Sequence, residues 1–124
     1  MKQEASNIIK LDDVEYVRKD SVAVPAQQLD GMKYVVVRTY SAGVHAGYLE
    51  SKNGKEVVLK QSRRLWYWDG AASLSQLATN GVSKPQNCKF PCEVGRIELT
   101  EAIEIIDATK KAQESIASVA IWQQ

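Results

Sequence analysis

The clearest hydrophobic pattern begins at Lys33. Tyr34-Val35-Val36-Val37 is a short, β-branched apolar run bounded by turn residues, and it predicts a strand from Lys33 to Tyr40. Three consecutive valines imply burial on both faces, and so a place inside a sheet rather than at its edge. Arg38 and Tyr40 share a face at the far end of this strand. Upstream, Ile8, Ile9, Leu11, Val14 and Tyr16 fit neither the helical nor the strand period. They suggest only a short docked strand or turn. Pro25 and Asp30-Gly31 close residues 1–31 as an irregular N-terminal arm, ahead of a single domain over residues 32–124.

Asn53-Gly54 lies between two further β-rich runs and signals a hairpin. A two-residue turn there pairs Lys52 with Lys55. It also sets Leu49 opposite Val58, Gly47 opposite Lys60, His45 opposite Ser62 and Gly43 opposite Arg64. Opposed residues share a face. One face is thus expected to carry Gly43, His45, Gly47, Lys60, Ser62 and Arg64, continuing to Trp66 and Trp68. The other, with Val44, Ala46, Tyr48, Val57, Leu59, Leu65 and Tyr67, is expected to be core. Two glycines beneath long basic and aromatic side chains predict a recess with a polar rim, and a bulge in either strand would flip part of this assignment.

Beyond Asp69-Gly70 the period changes. Ser73 followed by Gln76 is a capping-box pattern, and Asn80-Gly81 is a helix stop, so a short helix lies between them. Residues 83–91 read as loop and Glu93–Leu99 as strand. Residues 99–106 suit a continued strand or a helix start. Thr109–Val119 carries Ala112, Ile116 and Val119 at helical spacing, and Ile121 and Trp122 leave an apolar end suited to packing on the body or on a second protomer. Strands first and helices after them predict an α+β domain: a hairpin-rich N-terminal antiparallel sheet followed by short helices.

Composition narrows the chemistry. With 124 residues, one modest core is expected. Sixteen basic and fifteen acidic residues leave a net charge of +1, unlike the basic excess of proteins that coat DNA. No apolar run reaches the roughly 18–20 residues of a membrane-spanning helix, and the start lacks a secretory signal, so a cytoplasmic protein is expected. Cys88 and Cys92 are too few for a disulfide framework or a four-ligand zinc site. His45, the single histidine, has no visible acid–nucleophile pair beside it, and no phosphate loop or nucleophile elbow occurs. Neither a catalytic set, a metal site nor a cofactor is expected. Lys60 to Gly70 instead gathers Arg63, Arg64, Trp66, Tyr67 and Trp68. Aromatic surface beside guanidinium groups suits a ligand with both base and phosphate; the same residues also suit a bulky core strand or an interface with another protein.

Residues 34–47, 55–60 and 63–77, extended by 96–105, resemble a family of small phage and prophage proteins, the first Thoeris anti-defence proteins. The resemblance covers most of residues 33–116. It implies a non-enzymatic role: binding and withholding a cyclic ADP-ribose isomer that activates a bacterial defence effector. It further implies an N-terminal antiparallel sheet followed by helices, and assembly as dimers or trimers of dimers. Ligand pockets would lie near the dimer interface, with cyclic oligonucleotides held elsewhere by some members. Contact residues are chosen on chemistry. Arg38, Lys60 and Arg64 suit phosphates, Trp66 or Trp68 suits an adenine ring, and Tyr40 and His45 adjoin them. Arg96 is a further candidate from a neighbouring strand or protomer.

Overall fold

The computed structural model describes residues 24–123. The apolar positions near residues 8–16 lie outside the described residues. The elements are β1 (Tyr34–Thr39), β2 (Val44–Asn53), β3 (Glu56–Arg64), α1 (Leu74–Asn80), β4 (Glu93–Leu99), β5 (Ala102–Asp107) and α2 (Lys110–Ser118). Among the described residues the strands form one antiparallel sheet in the order β4-β3-β2-β1-β5. With two short helices packed against it, this is an α+β domain. No helix of the described residues is long and apolar enough to cross a membrane.

The strand order has a geometric consequence. β4 and β5 occupy opposite edges of the sheet, yet only Thr100 and Glu101 separate them in sequence. Three residue steps span at most about 11 Å, so the sheet must roll to bring its edges together. The link is pinned on both sides, by Ala102 N–H donating to Lys55 O at 3.0 Å and Tyr40 N–H donating to Glu101 O at 2.9 Å. The ambiguous stretch 99–106 thus resolves as a break followed by a strand.

Rolling creates two cores. Val35, Val37, Val57, Leu59 and Leu99 fill the inner face, with Leu49, Ile97, Ala102 and Ile105 around them. Tyr34, Val36, Ala46 and Leu65 lie in the outer core with Leu77, Ala78, Phe90, Ile116 and Val119. The three valines are each fully buried, two inward and one outward. Only a strand flanked on both sides needs apolar side chains at every position.

Both helices start and stop where their chemistry directs. Ser73 Oγ accepts from Gln76 N–H at 3.1 Å, and Gln76 Oε1 accepts from Ala72 N–H at 2.9 Å. Gly81, at φ 76°, closes α1, and a Cβ there would lie 2.3 Å from Ser115 Cβ. Thr109 caps α2 through its hydroxyl, which accepts from Ala112 N–H at 3.0 Å. Residues 24–31, expected as part of an arm, are tied to this body: Ala26 N–H donates to Ala108 O and Lys110 N–H to Val24 O.

The hairpin register differs from the expected one. The turn is Gly54-Lys55, so Asn53 pairs with Glu56, and irregularities follow near Glu50 and near Gln61. Gln61 sits at φ 49°, the αL conformation of an extra residue in a bulged strand. Leu49 therefore faces Leu59, Tyr48 faces Lys60, and His45 faces Arg64. Tyr48 belongs with the outer core, whereas His45 pairs with Val37 of the inner face. Lys60 and Arg64 consequently lie on opposite faces, not on one. Gly47 does not floor an open recess either. A Cβ there would meet Lys60 O and Ser62 Cα at 3.1 Å, so the glycine admits the bulged strand itself.

Arg63 is buried, at 7% exposure. Its guanidinium donates to three carbonyls, Pro91 O at 2.9 Å, Phe90 O at 3.0 Å and Ile116 O at 2.8 Å, and lies over the Phe90 ring. One side chain thereby binds the long β3–β4 connection and the end of α2 to the sheet.

Candidate functional site

The inner face of the roll ends in a cleft. β2 supplies His45, β3 supplies Ser62 and Arg64, and the chain leaving β3 supplies Trp66. Pro91, Cys92, Val94 and Ile97 close a cavity of about 310 Å³ with them. A second concavity of about 460 Å³ adjoins it, lined by Ser41, Ala42, Gly43, Val44, Arg64, Leu65, Trp66 and Trp68. Arg64 and Trp66 border both. The site is thus two lobes with a guanidinium and an indole at their junction.

The larger lobe's rim is the Thr39–Val44 turn. Thr39 Oγ1 donates to Gly43 O at 2.7 Å and accepts from Ala42 N–H at 2.8 Å. Gly43, at φ 87°, supplies the backbone conformation that this turn requires. In the smaller lobe His45 is only 1% exposed, and its Nε2 lies 3.0 Å from Ala42 O. A carbonyl oxygen only accepts, so Nε2 carries the hydrogen and Nδ1 is left as an acceptor. Burial, opposed by that hydrogen bond and reinforced by the Arg64 charge, holds His45 below the usual histidine range and so neutral at pH 7. Ser62 is also 1% exposed, and its hydroxyl has no hydrogen-bond partner.

The expected site residues divide. His45, Arg64, Trp66 and Trp68 come together around the two lobes. Arg38 is exposed on β1 opposite Val44 and Glu104, and Tyr40 is 78% exposed just beyond that strand. Neither lines a lobe. Lys60 pairs with Arg96 on the outer face. Arg96 is engaged by Glu50 at 3.1 Å and Glu98 at 3.0 Å, and those bonds hold its pKa above the usual arginine value. Tyr67 was expected in the core but is 48% exposed, because β3 ends at Arg64 and the alternation stops there. Leu65 is core as expected.

Ser62 lies on the same face as His45 and Arg64, as expected, but neither it nor Pro91, Cys92, Val94 and Ile97 was among the expected contacts. Their approach follows from the β3–β4 pairing, in which Ser62 faces Val94. No local pattern signals that pairing. Around the cleft, Trp66 stacks on Trp122 at 5.5 Å, and Lys89 Nζ lies within 6 Å of the Trp66, Tyr67 and Trp122 rings.

A family model, DUF6948, described as a domain of unknown function, matches residues 32–116 and so includes every residue lining the two lobes. The chain belongs to the DUF6948 family. No curated protein and no solved structure matches it. The chemistry of this DUF6948 domain must therefore be argued from its own side chains. Its described residues bring together no group of three or more His, Cys, Asp or Glu side chains able to hold a metal ion. What the cleft offers is a cation, aromatic surface, a neutral imidazole and an unpartnered hydroxyl.

Proposed function

We infer that this protein binds a small phosphorylated nucleotide signal in the two-lobed cleft and withholds it without degrading it. The ligand class is that of cyclic ADP-ribose isomers. The setting is phage evasion of Thoeris signalling in the cytoplasm of a bacterial host, with the chain assembled as a homodimer or a trimer of dimers. The observation that carries the reading is the junction formed by Arg64 and Trp66 between two adjacent concavities. A guanidinium recognises phosphate oxygens by paired hydrogen bonds, and an indole face receives a base. The two volumes fall within or near the range of small-molecule pockets. The likeness of residues 34–47 and 63–77 to the anti-defence proteins supplies the biological setting.

The test is capture and release. Protein incubated with a cyclic ADP-ribose isomer is freed of unbound ligand and heat-denatured, and the supernatant is analysed by mass spectrometry. Intact ligand in stoichiometric amount is the expected result. Recovery of nothing, or of a hydrolysed product, overturns the reading.

A second reading has its own observation. Trp66 is 60% exposed and Tyr67 48%, and with Trp122, which stacks on Trp66, they gather around Lys89 as an aromatic surface beside the cleft. Such residues anchor protein–protein interfaces, so a protein-binding inhibitor of a host defence component is the competing function. It predicts co-purification with a host protein, no response to nucleotides, and a greater loss from Trp66→Ala than from Arg64→Ala.

A further inference from the structure

We propose that the smaller lobe holds the base of the ligand, and that its floor, Ser62 and His45, selects a ring edge carrying a hydrogen-bond donor, such as the amino group of adenine. The inference rests on the nucleotide reading above and goes beyond it by assigning the base to one lobe and its recognition to two residues.

The two lobes differ in kind. The smaller has apolar walls from Trp66, Pro91, Val94 and Ile97. Flat apolar walls with a few placed polar groups suit a heterocycle. The larger also has indole walls, from Trp66 and Trp68, but its rim is the Ser41–Gly43 turn together with Arg64, which suits the phosphate and sugar. Arg64 borders both lobes, and so stands where a phosphate would join the sugar that carries the base.

The floor of the smaller lobe is not explained by folding alone. Nothing in the pairing of Ser62 with Val94 calls for a hydroxyl, and alanine would fit the same strand position. A buried hydroxyl without a partner destabilises the fold, which makes it a standing acceptor or donor for whatever enters. His45 has one fixed role, because the Ala42 carbonyl holds the hydrogen on Nε2 and leaves Nδ1 to accept. A fixed acceptor beside an adaptable hydroxyl matches an edge with an amino group next to a ring nitrogen. The amino group donates to Nδ1, and the ring nitrogen accepts from Ser62. A purine lacking the amino group leaves the imidazole unmatched, the situation that gives hydrogen-bonding pockets their selectivity.

Isothermal titration calorimetry of the full chain with adenosine 5′-monophosphate and with purine riboside 5′-monophosphate tests this. The second differs only in lacking the amino group. Wild-type protein is expected to bind it about 10-fold or more weakly. Ser62→Ala is expected to weaken the adenosine nucleotide by a similar factor while leaving the ligand-free melting temperature unchanged or raised, since it removes an unsatisfied group. Equal affinity for the two nucleotides overturns the inference, as does Ser62→Ala with full affinity, and either result leaves the nucleotide reading standing. Failure of both monophosphates and of cyclic ADP-ribose to bind overturns the two together.

Discussion

Removing the Arg63 guanidinium should unfasten the molecule. Its three hydrogen bonds, 2.8–3.0 Å long, run to carbonyls of Pro91, Phe90 and Ile116. A hydrogen bond to a charged group contributes about 1.5–3 kcal/mol net, so three set an upper bound of about 5–9 kcal/mol. Such bonds act as a unit, and water reaching the freed carbonyls recovers part of the loss. Arg63→Ala is therefore expected to cost about 3–5 kcal/mol, a large share of the stability of a domain this size. Arg63→Lys should fall between, since one ammonium cannot reproduce the planar fork that reaches all three acceptors. Urea denaturation followed by tryptophan fluorescence measures both variants, with Trp66 and Trp68 near the fastened segment as probes. A loss below about 1 kcal/mol for Arg63→Ala would refute the fastening role, because it would mean that water replaces all three bonds at no net cost.

Other outcomes follow from the same structure. Arg64→Ala and Trp66→Ala should each abolish the thermal shift produced by a cyclic ADP-ribose isomer, whereas Arg96→Ala, tied to Glu50 and Glu98 on the outer face, should leave it intact; differential scanning fluorimetry compares the three. Gly81→Ala should destabilise by about 2 kcal/mol or more, since a side chain at φ 76° is strained and its Cβ would overlap Ser115, and the same urea titration reads it. The folded protein holds His45 below its ordinary pKa of 6.5, so the unfolded chain takes up the proton first. That contribution is full above about pH 6.5 and fades as pH falls through the folded value. His45→Gln should flatten that part of a stability–pH profile, and an unchanged slope would show that other groups cause it.

Local signals carried much of the fold. Val35–Val37, the Ser73 cap with Gln76, the Gly81 stop and the Thr109 cap each act over a few residues, and each performs as its chemistry requires. Register is different, because it accumulates error. A turn displaced by one residue and bulges near Glu50 and Gln61 were enough to send Lys60 to the outer face while His45 and Arg64 stayed together. A bulge adds a residue without changing composition, so periodicity does not announce it. Arg63 shows another limit. Its partners are backbone carbonyls at Pro91, Phe90 and Ile116, and a carbonyl has no side-chain signature by which a sequence could offer it. The cleft was legible as a set of residue types around Arg64 and Trp66, but its far wall comes from β4 and the chain before it.

The two-residue link at Thr100-Glu101 also orders events in time. β1, β2 and β3 pair with near neighbours in sequence, so their meander can assemble early. β5 must return to β1, where Val36 meets Ile106, and contacts between such distant positions form slowly. Until that return the inner valines, among them Val37 opposite His45, remain wetted. Ligand-binding competence should therefore lag behind the first sheet structure in a refolding experiment and appear with the final seam.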